Sequence, residues 1–234
     1  NVLGSLPKLQ SVKRQKVNDV KRPFLKLKFA EVPNNYNEMT LVMKGNYSVV
    51  FRAYNDGLAY RFVTSLKGEV KVNHEDITVF FPQDAQLVLQ QSDRYRTSYE
   101  ERYSFVKSSE WLSFQKMAHY PVLAITSGGT KILMSESDLC DYPAPFFRSN
   151  DANGFSSVFP RVPAVEKPRS DKSNDVLLRP PYIAKTQGTR SFPWRYFVIA
   201  KDDAALVTNT MTCSLAQDSK LQDVSWIVQG QDSW

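Results

Sequence analysis

Phe51-Arg52-Ala53-Tyr54-Asn55-Asp56-Gly57-Leu58-Ala59-Tyr60-Arg61-Phe62 brings two aromatic-rich runs of strand formers together at an Asn-Asp-Gly connection. It reads as a β-hairpin. Aromatic side chains suit a pleated, half-buried surface, and Gly57 after two Asx residues is expected to supply the positive φ of a tight turn. Arg52, Tyr54, Tyr60 and Arg61 then sit close to the turn. There the arginines are expected to pair with surface carboxylates, and the tyrosines to plug the end of a sandwich.

The same pattern continues on both sides. Upstream, Glu38–Lys44 and Tyr47–Tyr54 flank Gly45-Asn46, a two-residue connection that extends the hairpin to a three-stranded meander. Downstream, Glu69–Val72, Ile77–Phe81, Gln86–Leu89 and Tyr103–Val106 are short strand-like runs separated by turn residues, and Pro121–Thr126 and Thr130–Ser135 enclose Ser127-Gly128-Gly129 as another hairpin. Trp194–Ala200 predicts a buried strand, after which Asp202 and Asp203 open a helical run toward Leu215, acids suiting a helix start. This rhythm points to a sandwich or barrel rather than βαβ units. The expected fold class is all-β, a large β-sandwich with at most one or two short helices, built as a single domain.

Two stretches read as irregular. Residues 1–37 are polar and basic, broken by Pro7, Pro23 and Pro33, with Phe24–Phe29 as the one alternating strand; its lysines would protect a sheet edge. Pro143 to Pro193 holds eight of the 13 prolines, which predicts a long functional loop with brief strands at Phe155–Phe159 and Tyr182–Ala184.

The net charge of +6 is unevenly placed. The first 30 residues hold eight Lys/Arg and one acid, or +7, leaving −1 for the remainder. A basic leader on a neutral body, without a helix-turn-helix, zinc-finger or RNA-binding signature, argues against nucleic acid as a partner. No run approaches the ~18 apolar residues of a membrane span, and no signal peptide is visible. Cys140 and Cys213 read as two buried free thiols, and His74 and His119 lack the companions of a zinc site.

Glu136, Asp138 and Asp141 cluster directly after a predicted strand. Acidic oxygens in a loop suit a hard cation such as calcium, although the spacing is not that of an EF-hand and a solvated turn has the same composition. Glu100-Glu101 would point to opposite faces of a strand and so cannot flank one scissile bond together. The chain has no phosphate-binding Gly-Lys-Ser/Thr loop, no G-x-S-x-G elbow and no Cys/His nucleophile pair. Chemistry alone gives a β-sandwich without an assigned role.

Tyr36-Asn37-Glu38, the FRAYNDGLAYRF hairpin, Glu136–Pro143 (ESDLCDYP), Gly188–Arg195 (GTRSFPWR) and Ser225–Gly230 (SWIVQG) together resemble the amino-terminal domain of glycoside hydrolase family 97, a bacterial family of exo-acting α-glucosidases and α-galactosidases. These stretches follow the family's order over nearly the whole chain. The resemblance implies a mutarotase-like supersandwich spanning 1–234, followed in the full protein by a catalytic (β/α)8 barrel and a small carboxy-terminal β-domain. It implies that no residue here is catalytic and that the domain docks on the barrel of the same polypeptide. It further implies that the domain supplies one calcium ligand, matched by Glu136, and part of the wall of a pocket for an oligosaccharide substrate. Arg190, Trp194 and Arg195 are the pocket-lining candidates. Export to the bacterial periplasm is also implied, with no membrane or nucleic-acid partner. Ala144-Pro145 and Val228-Gln229 depart from the family's usual continuation without changing a charged group. The alternative is a free-standing carbohydrate-binding or interaction module, which would lack the apolar docking patch expected to include Trp226 and Trp234.

Overall fold

The computed structural model describes residues 3–23, 28–111, 116–150, 152–170 and 173–218. In chain order the strands are β1 (Leu9–Val17), β2 (Val20–Lys21), β3 (Val32–Pro33), β4 (Tyr36–Met43), β5 (Tyr47–Tyr54), β6 (Gly57–Val72), β7 (Thr78–Phe80), β8 (Gln86–Ser92) and β9 (Tyr103–Lys107). They continue with β10 (Met117–Ile125), β11 (Lys131–Ser137), β12 (Phe146–Asn150), β13 (Gly154–Val158), β14 (Val165–Ser170), β15 (Ser173–Leu178), β16 (Ala184–Ser191) and β17 (Trp194–Ala200). Two five-residue helices follow, α1 (Asp203–Val207) and α2 (Met211–Leu215). The all-β expectation is met, and the helical run before Leu215 is two short turns rather than one helix.

Among the described residues thirteen strands join in one antiparallel sheet along β1-β4-β5-β6-β17-β11-β10-β12-β13-β7, with β16 added to β6, β8 to β10 and β9 to β8. Two long strands change partners and so let the sheet fold over itself. β6 pairs with β17 near its start and with β16 further along. β10 pairs with β12 through Ala118 and His119 and with β11 through Val122–Ile125, its register against β8 shifting in between. The layers close on a core of Leu87, Leu89, Trp111, Ala118, Val122, Met134, Phe147 and Phe155, with Ile132 and Phe197 packed against it. On the opposite face of β17, Trp194, Tyr196, Val198 and Ala200 pack with Val50, Ala59 and the helix residues Met211 and Leu215. Alternate residues of one strand thus serve two cores. At roughly 25 cal/mol per Å² of apolar area, each fully buried large side chain contributes about 1.5–3 kcal/mol.

The opening hairpin forms in the expected register, with Phe51 opposite Tyr60 and Tyr54 opposite Gly57. Gly57 does not supply a positive φ, however; in this part of the chain Gly45 and Asn46 do, at 102° and 61°. Gly57 is needed for close approach instead: a Cβ there would lie 2.1 Å from the Phe197 carbonyl oxygen and 2.5 Å from Met211 Cε.

Four other expectations change. β1 pairs along almost its whole length with β4, inside the stretch read as irregular. Only Val12 and Val17 of β1 are even partly buried, so no apolar alternation marks it, and its basic side chains guard an edge. Most of the Phe24–Phe29 strand lies outside the described residues. The span 143–193 carries five strands rather than a long loop. Within it β14 and β15 pair only with each other and stay largely exposed. Glu100 and Glu101 lie in a connection, not on a strand. Both cysteines are free, but Cys140 is exposed and Cys213 only partly buried.

Candidate functional site: a shared arginine between two carboxylates

β17 places Arg195 directly between Glu136 on β11 and Tyr60 on β6, because the three residues stand in cross-strand register. Their side chains point to the face that carries Phe197 and Met134, where Arg195 is 1% exposed. A buried guanidinium needs its donors satisfied and its charge balanced. Glu75, from the connection between β6 and β7, takes Nε and Nη2 in two bonds of 3.0 Å, and Nη1 donates to Oε2 of Glu136. The side chains of Glu75 and Glu136 are 15% and 11% exposed.

Two carboxylates therefore share one cation in a nearly dry environment. Burial pushes the Glu136 carboxyl up to about 7 despite the neighbouring arginine. Burial would lower the Arg195 pKa, but Glu75 and then Glu136 outweigh it and raise it. Four tyrosines surround the acids. Tyr60 is pushed up to about 12 by burial and then by Glu75, and burial followed by a nearby carboxylate raises Tyr99 and Tyr142 as well. Tyr120 is raised by burial above all.

On the other face of the sheet a second arrangement supports the loop that follows Glu136. Trp194, also 1% exposed, is stacked by two guanidiniums, Arg52 at 4.6 Å and Arg61 at 4.2 Å from its ring centroid. Arg52 bonds Glu38 at 2.8 Å and lies over Tyr36, while Arg61 faces Asp138 at 3.8 Å. These carboxylates are enclosed, not on the surface, which corrects the simplest expectation for the hairpin arginines. Burial accordingly lowers the Arg61 pKa and lifts Tyr54 to about 12.

The loop itself is fixed from several sides. Ser137 Oγ donates to the Thr212 carbonyl at 3.0 Å, and the Gln217 amide donates to Asp138 Oδ1 at 2.7 Å. Asp138 and Asp141 take positive φ, 58° and 50°, which aspartate tolerates better than most residues. Arg190 closes the outside, lying over Tyr142 and Phe192 at 5.6 and 5.0 Å and donating to the carbonyls of Cys140 and Asp141.

The acidic trio is thereby dispersed. Glu136 faces Arg195, Asp138 faces Arg61 on the other side of the sheet, and Asp141 is exposed. Of the pocket-lining candidates, Arg190 keeps a partly exposed side chain, while Trp194 and Arg195 support the loop and Glu136 from beneath. Glu75 was not singled out in the sequence. It stands in a polar connection 120 residues from Arg195, and no local pattern marks such a partner. Trp226 and Trp234 lie outside the described residues. Among the described residues no group of three or more His, Cys, Asp or Glu is placed to hold a metal.

Comparison with known proteins places this architecture. A retaining alpha-galactosidase of Bacteroides thetaiotaomicron is 31% identical over 246 residues, covering 100% of this chain and 37% of the relative's length. A glycoside hydrolase family 97 enzyme from Pseudoalteromonas sp. strain K8, solved in complex with acarbose, superposes with a TM-score of 0.76 at 21% identity, over 94% of this chain and 32% of that one. A beta-arabinopyranosidase superposes with a TM-score of 0.67 at 18% identity, over 92% and 36%. The glycosyl-hydrolase 97 N-terminal family model matches residues 2–217, and the chain belongs to that family.

Proposed function

We propose that this chain is the non-catalytic amino-terminal domain of an exo-acting α-glycosidase acting on terminal α-glucosides or α-galactosides. It docks on the catalytic barrel of the same polypeptide, supplies Glu136 to a calcium ion shared with that barrel, and forms part of the pocket wall around the oligosaccharide through Arg190. The observation that supports this most is the family match over residues 2–217, joined to a relative named for α-galactoside hydrolysis. The chain spans 37% of that relative's length, so the whole protein's activity stays part of the proposal. The fold is also found in an enzyme named for another glycoside, so substrate choice is assigned elsewhere in the polypeptide. Export to the periplasm belongs to the same reading and rests on family resemblance.

Glu136 fits a hard cation. It is an oxygen donor on a rigid strand end, and when it and Glu75 are both ionised the Arg195 cluster carries one negative charge in excess. A bound calcium would supply positive charge at that excess and tie the strand end to ligands from the barrel. Trp194 and Arg195 hold the strand and the carboxylate in place, and no residue of this chain carries out the hydrolytic step.

The test is turnover of an aryl α-glycoside by the intact enzyme. Glu136→Gln should lower activity at limiting calcium and recover it at high calcium, while Asp141→Asn should behave as wild type. Loss in Asp141→Asn with no effect in Glu136→Gln would place the ligand elsewhere and overturn the assignment.

A further inference from the structure

The guanidinium of Arg195 divides its donors without overlap. Nε and Nη2 belong to Glu75, and Nη1 belongs to Glu136. Breaking the bond to Glu136 therefore leaves the two-pronged pair with Glu75 intact. Without Glu75 the same break would strand a guanidinium that is 1% exposed, and an uncompensated buried charge is strongly unfavourable. The groups facing the cluster from the packed elements are Tyr60, Tyr99, Tyr120 and Tyr142, none of them a second cation.

We infer that Glu75 and Arg195 are positioning residues that make Glu136 exchangeable between two cations. Arg195 holds Glu136 when no metal is bound, and Glu75 retains Arg195 when Glu136 turns to calcium. This rests on the reading of Glu136 as a calcium ligand. Glu75 acts through Arg195 in this scheme and does not touch the ion. The arrangement keeps Glu136 oriented and charge-paired before binding, so the metal meets a preformed carboxylate instead of a collapsed one.

The experiment is calorimetric titration of calcium chloride into the intact enzyme, with the fold of every variant checked by circular dichroism. Glu75→Gln should weaken calcium binding about ten- to a hundredfold, the range of losses when a group orienting a metal ligand is removed. In an Arg195→Met background the competitor for Glu136 is gone, and adding Glu75→Gln should cost less than about threefold. An equal loss in both backgrounds would make Glu75 a direct ligand and overturn the inference. Unchanged affinity in Glu75→Gln overturns it as well, and that arm stands even where Arg195→Met, or Arg195→Gln in its place, does not fold. Glu136→Gln separates the two levels of argument. If it binds calcium as tightly as wild type, the underlying assignment of Glu136 fails. If it binds weakly while Glu75→Gln binds normally, the exchange scheme alone fails.

Discussion

Gly57 has no room for a side chain, and the atoms that crowd it include backbone of a neighbouring strand. A Cβ at 2.1 Å from the Phe197 oxygen cannot be relieved by a rotamer change, so β6 and β17 must separate. Gly57→Ala should therefore destabilise the domain by about 1–3 kcal/mol, measured by urea denaturation, although alanine is otherwise the better strand residue. A stability equal to wild type would mean that the two strands are not packed this closely. The pH dependence of the calcium-free domain is a second residue-level consequence. The Glu136 carboxyl has its folded pKa raised to about 7 from 4.5. Between those values the unfolded chain has already released the proton that the folded chain keeps, so this group's contribution to stability is present at acid pH and is lost as pH rises through 7. Glu136→Gln should flatten that part of the profile. A thermal-melt series from pH 4 to 8 that is as steep in the variant as in wild type would count against it. At both positions the sequence marked the residue, and the structure adds surroundings that no local pattern showed. Gly57 was legible as a turn-associated glycine, but its contact with Phe197 joins residues far apart in the chain. Glu136 stood out as one of three clustered acids, while Glu75, which completes its environment, had no local signature.

Strands were legible where burial writes a pattern. Tyr47–Tyr54 and Trp194–Ala200 alternate between two packed faces and carry aromatic and branched side chains that announce it. β1 is held by its ladder to β4 with little burial, so hydrogen bonds that any sequence can make leave no side-chain signal. Proline density between 143 and 193 suggested a loop, yet Pro145, Pro160, Pro163, Pro180, Pro181 and Pro193 fall between strands, and Pro168 falls on the exposed β14. The β14–β15 pair has little to anchor it beyond its own ladder. Its amides should exchange with solvent faster by several orders of magnitude than those of β6, β11 and β17, which open only with the whole core. Hydrogen-exchange mass spectrometry reads this directly, and equal protection would reveal packing that the exposed side chains do not show. At the start of α1, Asp202 accepts from the Ala205 amide at 2.8 Å. Replacing it by alanine should cost about 1 kcal/mol in the same denaturation assay, with no loss showing that the tertiary contacts of this short helix hold it alone.

For the molecule as a whole, one sheet folded on itself creates two cores that share β17, and their boundary carries the charged residues. Arg195 and Trp194 are sequence neighbours on opposite faces, so one strand anchors Glu136 through one side chain and Asp138 through the stack on the other. This explains why the ESDLCDYP and FPWR stretches, with Pro143 and Phe192 49 positions apart at their closest, form one site: β11 and β17 are paired through Glu136 and Arg195. On the function proposed above, this site lends one carboxylate to a calcium ion completed by the rest of the polypeptide. Calcium takes 6–8 oxygen ligands, so a domain that offers one or two binds it only weakly. Calorimetric titration of calcium into the intact enzyme, the isolated domain and the intact Glu136→Gln variant is the decisive measurement. Tight binding is expected in the intact enzyme and little in the other two; equal affinity in the intact enzyme and its Glu136→Gln variant would overturn the role of Glu136 as a calcium ligand.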